Sequence, residues 1–241
     1  MDNKTFYIPQ LTPALAFARE ALQEAGVALA SDEKGAGCWL FPVPTGEITE
    51  APEPGTLVIG GKLNRAELLD LPKLDLLEDE MYLSENARLT AECALRILGE
   101  RLPTSIFGCD ILVIGWGRIG KCLAQLLRAM DARVVVAARK PADLGILAAL
   151  GYEAVSIGKI PDLLPQMRVV INTAPAPVLG EDALSLLPDH GIKLDLASIQ
   201  GLAGEDVLWA RGLPGKMLPE ASGRLIARRV LTLLYSKEGR P

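Results

Sequence analysis

The run Asp110-Ile-Leu-Val-Ile-Gly115-Trp116-Gly117-Arg118-Ile119-Gly120 constrains this chain more than any other stretch. Ile111 to Ile114 are consecutively apolar, as in a strand buried on both faces, and they run without a break into G-x-G-x-x-G. Beyond the motif, Ile119, Leu123, Leu126, Leu127 and Met130 recur at helical spacing. Each glycine has its own reason. Gly115 permits a tight turn, Gly117 lets the backbone approach a pyrophosphate without a Cβ, and Gly120 lets the helix lie close on the sheet. A helix start there turns unpaired N–H groups and the positive end of its dipole toward an anion. A glycine turn that merely closes a βαβ unit needs less than this. Strand, motif, helix and a further strand in order predict a dinucleotide site formed by Gly115, Trp116, Gly117, Arg118, Ile119 and Gly120.

The next strand, Arg133 to Ala138, should end beside the adenosine ribose, where an NAD site usually carries Asp or Glu. Here it ends Ala138-Arg139-Lys140, with no carboxylate. Arg139 and Lys140 instead offer donors suited to a 2′-phosphate, so NADP is expected ahead of NAD. The alternative is a pair of solvated basic residues at a strand end. Further strands are expected at Glu153–Ile157, Val169–Asn172 and Lys193–Leu196, each followed by turn chemistry. Asn172, Thr173, Ala174 and Pro175, and then Ala197 and Ser198, fall where a doubly wound sheet presents its ligand. Thr173 and Ser198 would also serve as simple turn formers.

Upstream, short strands at Phe6–Ile8, Val27–Ala30, Cys38–Val43 and Thr56–Ile59, with a helix from Leu15 to Ala25, imply a smaller α/β lobe. Ala87, Ala91, Ala94, Leu95 and Leu98 place a bridging helix after Ser84 as N-cap, ending near Gly99. A last helix runs from Gly223 to Leu234. The expected fold class is α/β, a Rossmann-type doubly wound parallel sheet with a second, smaller α/β lobe. Residues 1–103, joined by a C-terminal segment 221–241, form the small lobe, and 104–220 the dinucleotide-binding domain.

The chain has 241 residues, 25 Lys and Arg against 30 Asp and Glu, and a net charge of −5. That balance argues against nucleic acid or an anionic membrane as the main partner. No stretch offers the roughly 20 apolar residues of a membrane span, and Met1-Asp2-Asn3-Lys4 opens no signal-like run, so a cytoplasmic location is expected. Cys38, Cys93, Cys109 and Cys122 form no C-x-x-C pair and read as buried free thiols. A single histidine, His190, excludes a His pair or a His-rich metal site and reads as a structural turn residue; no metal is expected.

G-W-G-R-I-G resembles the turn of the D-isomer-specific 2-hydroxyacid dehydrogenases, but those enzymes use a catalytic histidine that His190 does not supply. A closer resemblance is to the A subunits of dipicolinate synthase. Thr90-Ala91-Glu92 is similar to that family's helix motif, Val113 to Gly120 to its nucleotide turn, and Ala137-Ala138-Arg139 to its strand ending. Ile171-Asn172-Thr173-Ala174-Pro175, Leu194-Asp195-Leu196-Ala197-Ser198 and Gly212-Leu213-Pro214-Gly215 follow in the same order. The similarity runs from about Thr90 to Leu234. The chain departs from the pattern at Ile199, where the family tends to have Arg, at Glu220, where it often has Lys, and in a shorter N-terminal lobe.

The resemblance implies pyridine-nucleotide-linked oxidation of dihydrodipicolinate to dipicolinate in sporulation, NADP-linked if Arg139 and Lys140 bind a 2′-phosphate, with a small dicarboxylate for substrate and, for partner, a flavoprotein-like B subunit. A homo-oligomer is expected. Oxidising a dihydropyridine requires one hydride and one proton to leave, and the substrate's carboxylates require cations. Glu220 and Glu92 are the candidate acid–base residues, and Arg88 and Arg224 the candidate anchors. Each could instead be an ordinary helix-surface or helix-terminal charge. The alternatives are an NADP-dependent dehydrogenase of another small carboxylic acid, or a non-catalytic nucleotide-binding protein that serves as sensor or partner.

Overall fold

The computed structural model describes residues 5–235. Residues 1–4 and 236–241, which include the opening Met1-Asp2-Asn3-Lys4 and the last part of the expected segment 221–241, lie outside the described residues. The chain divides into two compact units, Thr90–Leu213 on one hand, and the residues up to Leu89 with those from Pro214 onward on the other. The division thus falls inside a helix rather than at the residue 103/104 boundary, because that helix is continuous across Leu89 and Thr90.

In the first unit four parallel strands, β1 (Phe6–Tyr7), β2 (Cys38–Leu40), β3 (Leu57–Gly60) and β4 (Lys73–Asp75), lie in sequence order across the sheet. Side chains alternate along β2 and β3. Cys38, Leu40 and Ile59 enter one core with Phe6 and Leu76. Trp39, Phe41 and Val58 enter another with Leu63 and Leu68. Both faces are therefore covered, as parallel sheets require. Helix α1 (Pro13–Glu24) starts where the Thr12 hydroxyl accepts from the Leu15 N–H at 3.2 Å and proline occupies its first turn. It buries Leu15, Ala18 and Leu22.

Two expectations change here, and one strand is added to them. The segment Val27–Ala30 is not a strand: after the turn at Gly26 (φ +80°) only Leu29 bridges to Phe6. Lys73–Asp75, too short and polar to signal itself, is one. Helix α2 (Glu80–Arg101) begins before Ser84, which lies inside it. Its start is fixed by Asp79, whose carboxylate accepts from the Tyr82 N–H at 2.9 Å.

The second unit holds six parallel strands: β5 (Asp110–Ile114), β6 (Arg133–Ala138), β7 (Glu153–Ser156), β8 (Val169–Asn172), β9 (Ile192–Asp195) and β10 (Leu208–Trp209). Their spatial order is β10-β9-β8-β5-β6-β7. This is the doubly wound order, with its switch point between β5 and β8. Helices α3 (Arg118–Ala129), α4 (Pro141–Ala149), α5 (Ile160–Leu163) and α6 (Glu181–Leu184) make the crossovers. Leu112, Ile114, Val135, Ala137 and Val170 pack with Ile160, Leu164, Leu179 and Leu184 beneath the sheet. The two-residue strand β10 lies outside the sequence expectations.

After α7 (Leu213–Met217), α8 (Pro219–Tyr235) completes the first unit. Leu225, Ile226, Ala227 and Val230 join the core containing Leu15, Ala18 and Leu22. A Cβ on Gly223 would overlap the Ala14 carbonyl and meet the Ala18 amide at 2.8 Å, so α8 lies in backbone contact with α1. Arg229 of α8 donates to Asp79 at 2.7 Å, with both side chains largely buried. Burial alone would raise the Asp79 pKa, but the Arg229 hydrogen bond and the Tyr82 amide hold it below the usual carboxylate value.

Candidate functional site

At the carboxyl end of β5 the chain turns through Gly115, at φ +104°, whose N–H donates to the Ala137 carbonyl of β6 at 2.8 Å. The three glycines of the turn divide their work. A Cβ on Gly115 would meet the Thr173 hydroxyl at 2.6 Å, and one on Gly120 would overlap the Gly115 carbonyl, so protein itself closes those two positions. Beside Gly117 there is open space. Gly117 is also the N-cap of α3, and no side chain caps the helix there. An uncapped twelve-residue helix whose first turn opens onto free space fits a dinucleotide pyrophosphate in charge and in room.

Arg118 and Ile119 form the first turn of α3, with Gly120 buried behind them. The Trp116 ring meets Tyr152 edge-on at 5.5 Å, with the Lys121 ammonium 5.9 Å from the ring centre. Its indole Nε1 is buried without a hydrogen-bond partner among the described residues. Arg139 and Lys140 follow β6, one strand across from the turn. Both are exposed, and neither side chain has an ion-pair or hydrogen-bond partner among the described residues. Lys140 precedes α4, which also lacks a side-chain cap.

The turns after β8 and β9 are held by a feature the sequence did not announce. Asp195, the last residue of β9, has no exposure to solvent, and its hydrogen-bond partners are all neutral. One of its oxygens accepts from the Ala197 N–H at 2.9 Å, and the other from Gly201 and Leu202 at 2.7 and 2.9 Å. The Asn172 amide lies 3.1 Å from each oxygen. Asn172, equally buried, also donates to the Ala174 carbonyl and accepts from the Ala174 N–H, each at 3.0 Å. Its side chain therefore fixes the turn through Ala174 and Pro175. Thr173 donates its hydroxyl to the Ile114 carbonyl at 2.9 Å, joining this turn to the glycine turn. Ala197 is buried and accepts from the Trp209 indole at 2.9 Å, whereas Pro175 and Ser198 are exposed. A groove of about 610 Å³ opens between Pro177–Gly180 and Gln200–Gly204. A lone acid ending the strand Ile192-Lys193-Leu194-Asp195 was the available signal.

The remaining site residues belong to α2 and α8. Glu92 is half-buried on α2 in the unit of the glycine turn, and Arg88 is exposed just before that unit begins. Glu220 is exposed in the first turn of α8, where it accepts from Arg224 Nε at 3.1 Å. Arg224 donates a second time, to Glu24 at 3.2 Å, so two carboxylates already face its charge. His190 is exposed at φ +63° in the turn before β9. Among the described residues no group of three or more His, Cys, Asp or Glu is placed to hold a metal, and no helix is long and apolar enough to cross a membrane.

Sheet order, glycine turn and open helix start together define a Rossmann-type domain whose turn suits a pyridine nucleotide, and residues 86–194 match the family model of the D-isomer specific 2-hydroxyacid dehydrogenase NAD binding domain. The chain is also 28% identical over 166 residues to the dipicolinate synthase A subunit of Bacillus subtilis (strain 168), a stretch covering 64% of this chain and 56% of that relative's length. The crystal structure of the dipicolinate synthase A subunit from Bacillus halodurans superposes with a TM-score of 0.86 at 24% identity, covering 97% of this chain and 98% of that one. For the A chain of the Bacillus subtilis enzyme the TM-score is 0.81 at 20% identity, covering 97% and 96%. The resemblance read from the sequence is borne out, as is the fold class, a Rossmann-type domain with a second parallel α/β unit.

Proposed function

We propose that this chain is an A-subunit-like oxidoreductase that oxidises dihydrodipicolinate to dipicolinate with NADP, in the cytoplasm during sporulation, alongside a flavoprotein-like B subunit. In the balanced reaction, dihydrodipicolinate and NADP⁺ give dipicolinate, NADPH and a proton. When bound, the nicotinamide accepts the hydride. The protein's share is to bind, orient and take up the proton.

The observation that carries the nucleotide half of this reading is the open space at Gly117 at the head of an uncapped α3. Arg139 and Lys140, unpaired among the described residues at the end of β6, supply the charge that a 2′-phosphate needs. The substrate half rests on the similarity to the dipicolinate synthase A subunit. Ala197, Ser198 and the turn Asn172–Pro175 would border the nicotinamide. Glu92, half-buried, is the better acid–base candidate, because Glu220 is exposed. Arg88 and Arg224, the latter facing two carboxylates, are the substrate anchors to test. A second reading, a nucleotide-binding partner protein without turnover, is favoured by Ile199, which is 57% exposed where the resembled family tends to carry a cation.

Purified protein, NADP⁺ and dihydrodipicolinate, with and without a B subunit, separate these readings by the absorbance of reduced nicotinamide. Turnover is expected. NADP binding without turnover in either mixture selects the partner-protein reading. Gly117→Val, which fills the open space, should abolish nucleotide binding and leave the circular dichroism spectrum unchanged.

A further inference from the structure

We propose that Asp195 is a positioning residue for this site, acting with Asn172 to set the two turns that face the nicotinamide end of the cofactor; the inference rests on the nucleotide reading above. The geometry is specific. One buried carboxylate gathers the N–H groups of Ala197, Gly201 and Leu202 from the turn after β9, and through Asn172 it reaches the turn after β8. Gly201 returns its carbonyl to the N–H groups of Val178 and Leu179 at 2.8 and 3.1 Å, closing the loop between the two turns. There is no slack at the crossing, since a Cβ on Gly201 would lie 2.5 Å from Asn172 Nδ2.

Every group facing the Asp195 oxygens is a donor, so an amide cannot replace the carboxylate. In either orientation the amide of an Asp195→Asn variant would turn its NH₂ toward at least one backbone N–H and lose that bond. None of these bonds reaches Gly117, Arg139 or Lys140, which would hold the adenosine end. The two ends of the cofactor should therefore respond differently to the loss of Asp195. Misplacing bound groups by an ångström costs rate steeply, on the order of 10²-fold.

The test is Asp195→Asn, compared with the unsubstituted protein by calorimetry with 2′,5′-ADP and with NADP⁺, and by turnover. We expect 2′,5′-ADP affinity within about twofold, NADP⁺ affinity reduced about tenfold, and kcat reduced by about 10- to 100-fold with the circular dichroism spectrum retained. Asn172→Ala, which leaves the three backbone donors on Asp195, should show the same split with smaller losses and serves if Asp195→Asn does not fold. Equal loss of 2′,5′-ADP and NADP⁺ affinity, or unchanged NADP⁺ affinity and kcat in a folded variant, would overturn the inference. If the unsubstituted protein binds neither nucleotide, the nucleotide reading itself fails. If it binds both but does not turn over, the affinity split alone decides.

Discussion

In each unit a glycine lets two backbones touch. In the unit Thr90–Leu213 one such contact is Gly120 against the Gly115 carbonyl, two residues of one motif. In the other unit it is Gly223 of α8 against Ala14 and Ala18 of α1, which stand at the far side of the sequence. Each unit also draws a carboxylate away from solvent. Asp195 is satisfied by neighbouring backbone amides and Asn172, whereas Asp79 depends on Arg229, 150 positions away. The nucleotide unit is thus held by short-range devices, and the other by devices that unite remote segments.

The largest effect should come from the remote ion pair. Asp79→Ala leaves the Arg229 guanidinium, with 13% side-chain exposure, unpaired, and removes the cap of α2. Loss of about 3–5 kcal/mol in urea unfolding is expected. The Asp79 pKa is depressed in the folded state, so its contribution is complete above the unfolded value and disappears as pH falls through the folded one. Stability should therefore drop below about pH 4, and the drop should be shallower in Asp79→Asn. An identical acid profile in that variant would contradict this account.

A middle effect should come from the paired glycines. Gly120→Val and Gly223→Val each force a branched side chain into backbone, at about 1–3 kcal/mol of stability. Only Gly120→Val should also remove nucleotide binding, measured at a temperature where both variants remain folded. Should Gly223→Val remove it equally, the distinction between the units would collapse.

The smallest effect should be at the end of β6. Arg139→Asp should weaken NADP⁺ binding about tenfold, near 1.4 kcal/mol, and change stability by less than about 0.5 kcal/mol. Equal dissociation constants for NAD⁺ and NADP⁺ in the unsubstituted protein would remove Arg139 from the site.

The same contrast decides how much could be read from residues alone. The strand, glycine turn and helix at 110–129 were legible because the chemistry and the contact lie within a dozen positions of each other. So were β6 and β8, apolar runs of five and three residues ending in turn chemistry. Asp195 was not, because what satisfies it is a turn geometry that no residue type encodes. Ser84 reads as a cap because it precedes an apolar periodicity, yet Asp79 caps the helix and carries the Arg229 contact as well. The strands β4 and β10, of three and two residues, are defined by their neighbours rather than by their own composition.

The return of α8 to the first unit has a consequence for synthesis. The ribosome delivers residues 90–213 as one continuous stretch, all of them before residues 219–235. A vectorially made chain can assemble the nucleotide unit while the apolar stripe of α1, with Leu15, Ala18 and Leu22, still waits for Leu225, Ile226 and Val230. Until then whatever part of that stripe α8 covers lacks its partner and stands open to a holding chaperone or to a neighbouring nascent chain. Its exposure time is set by the rate at which the ribosome translates everything in between.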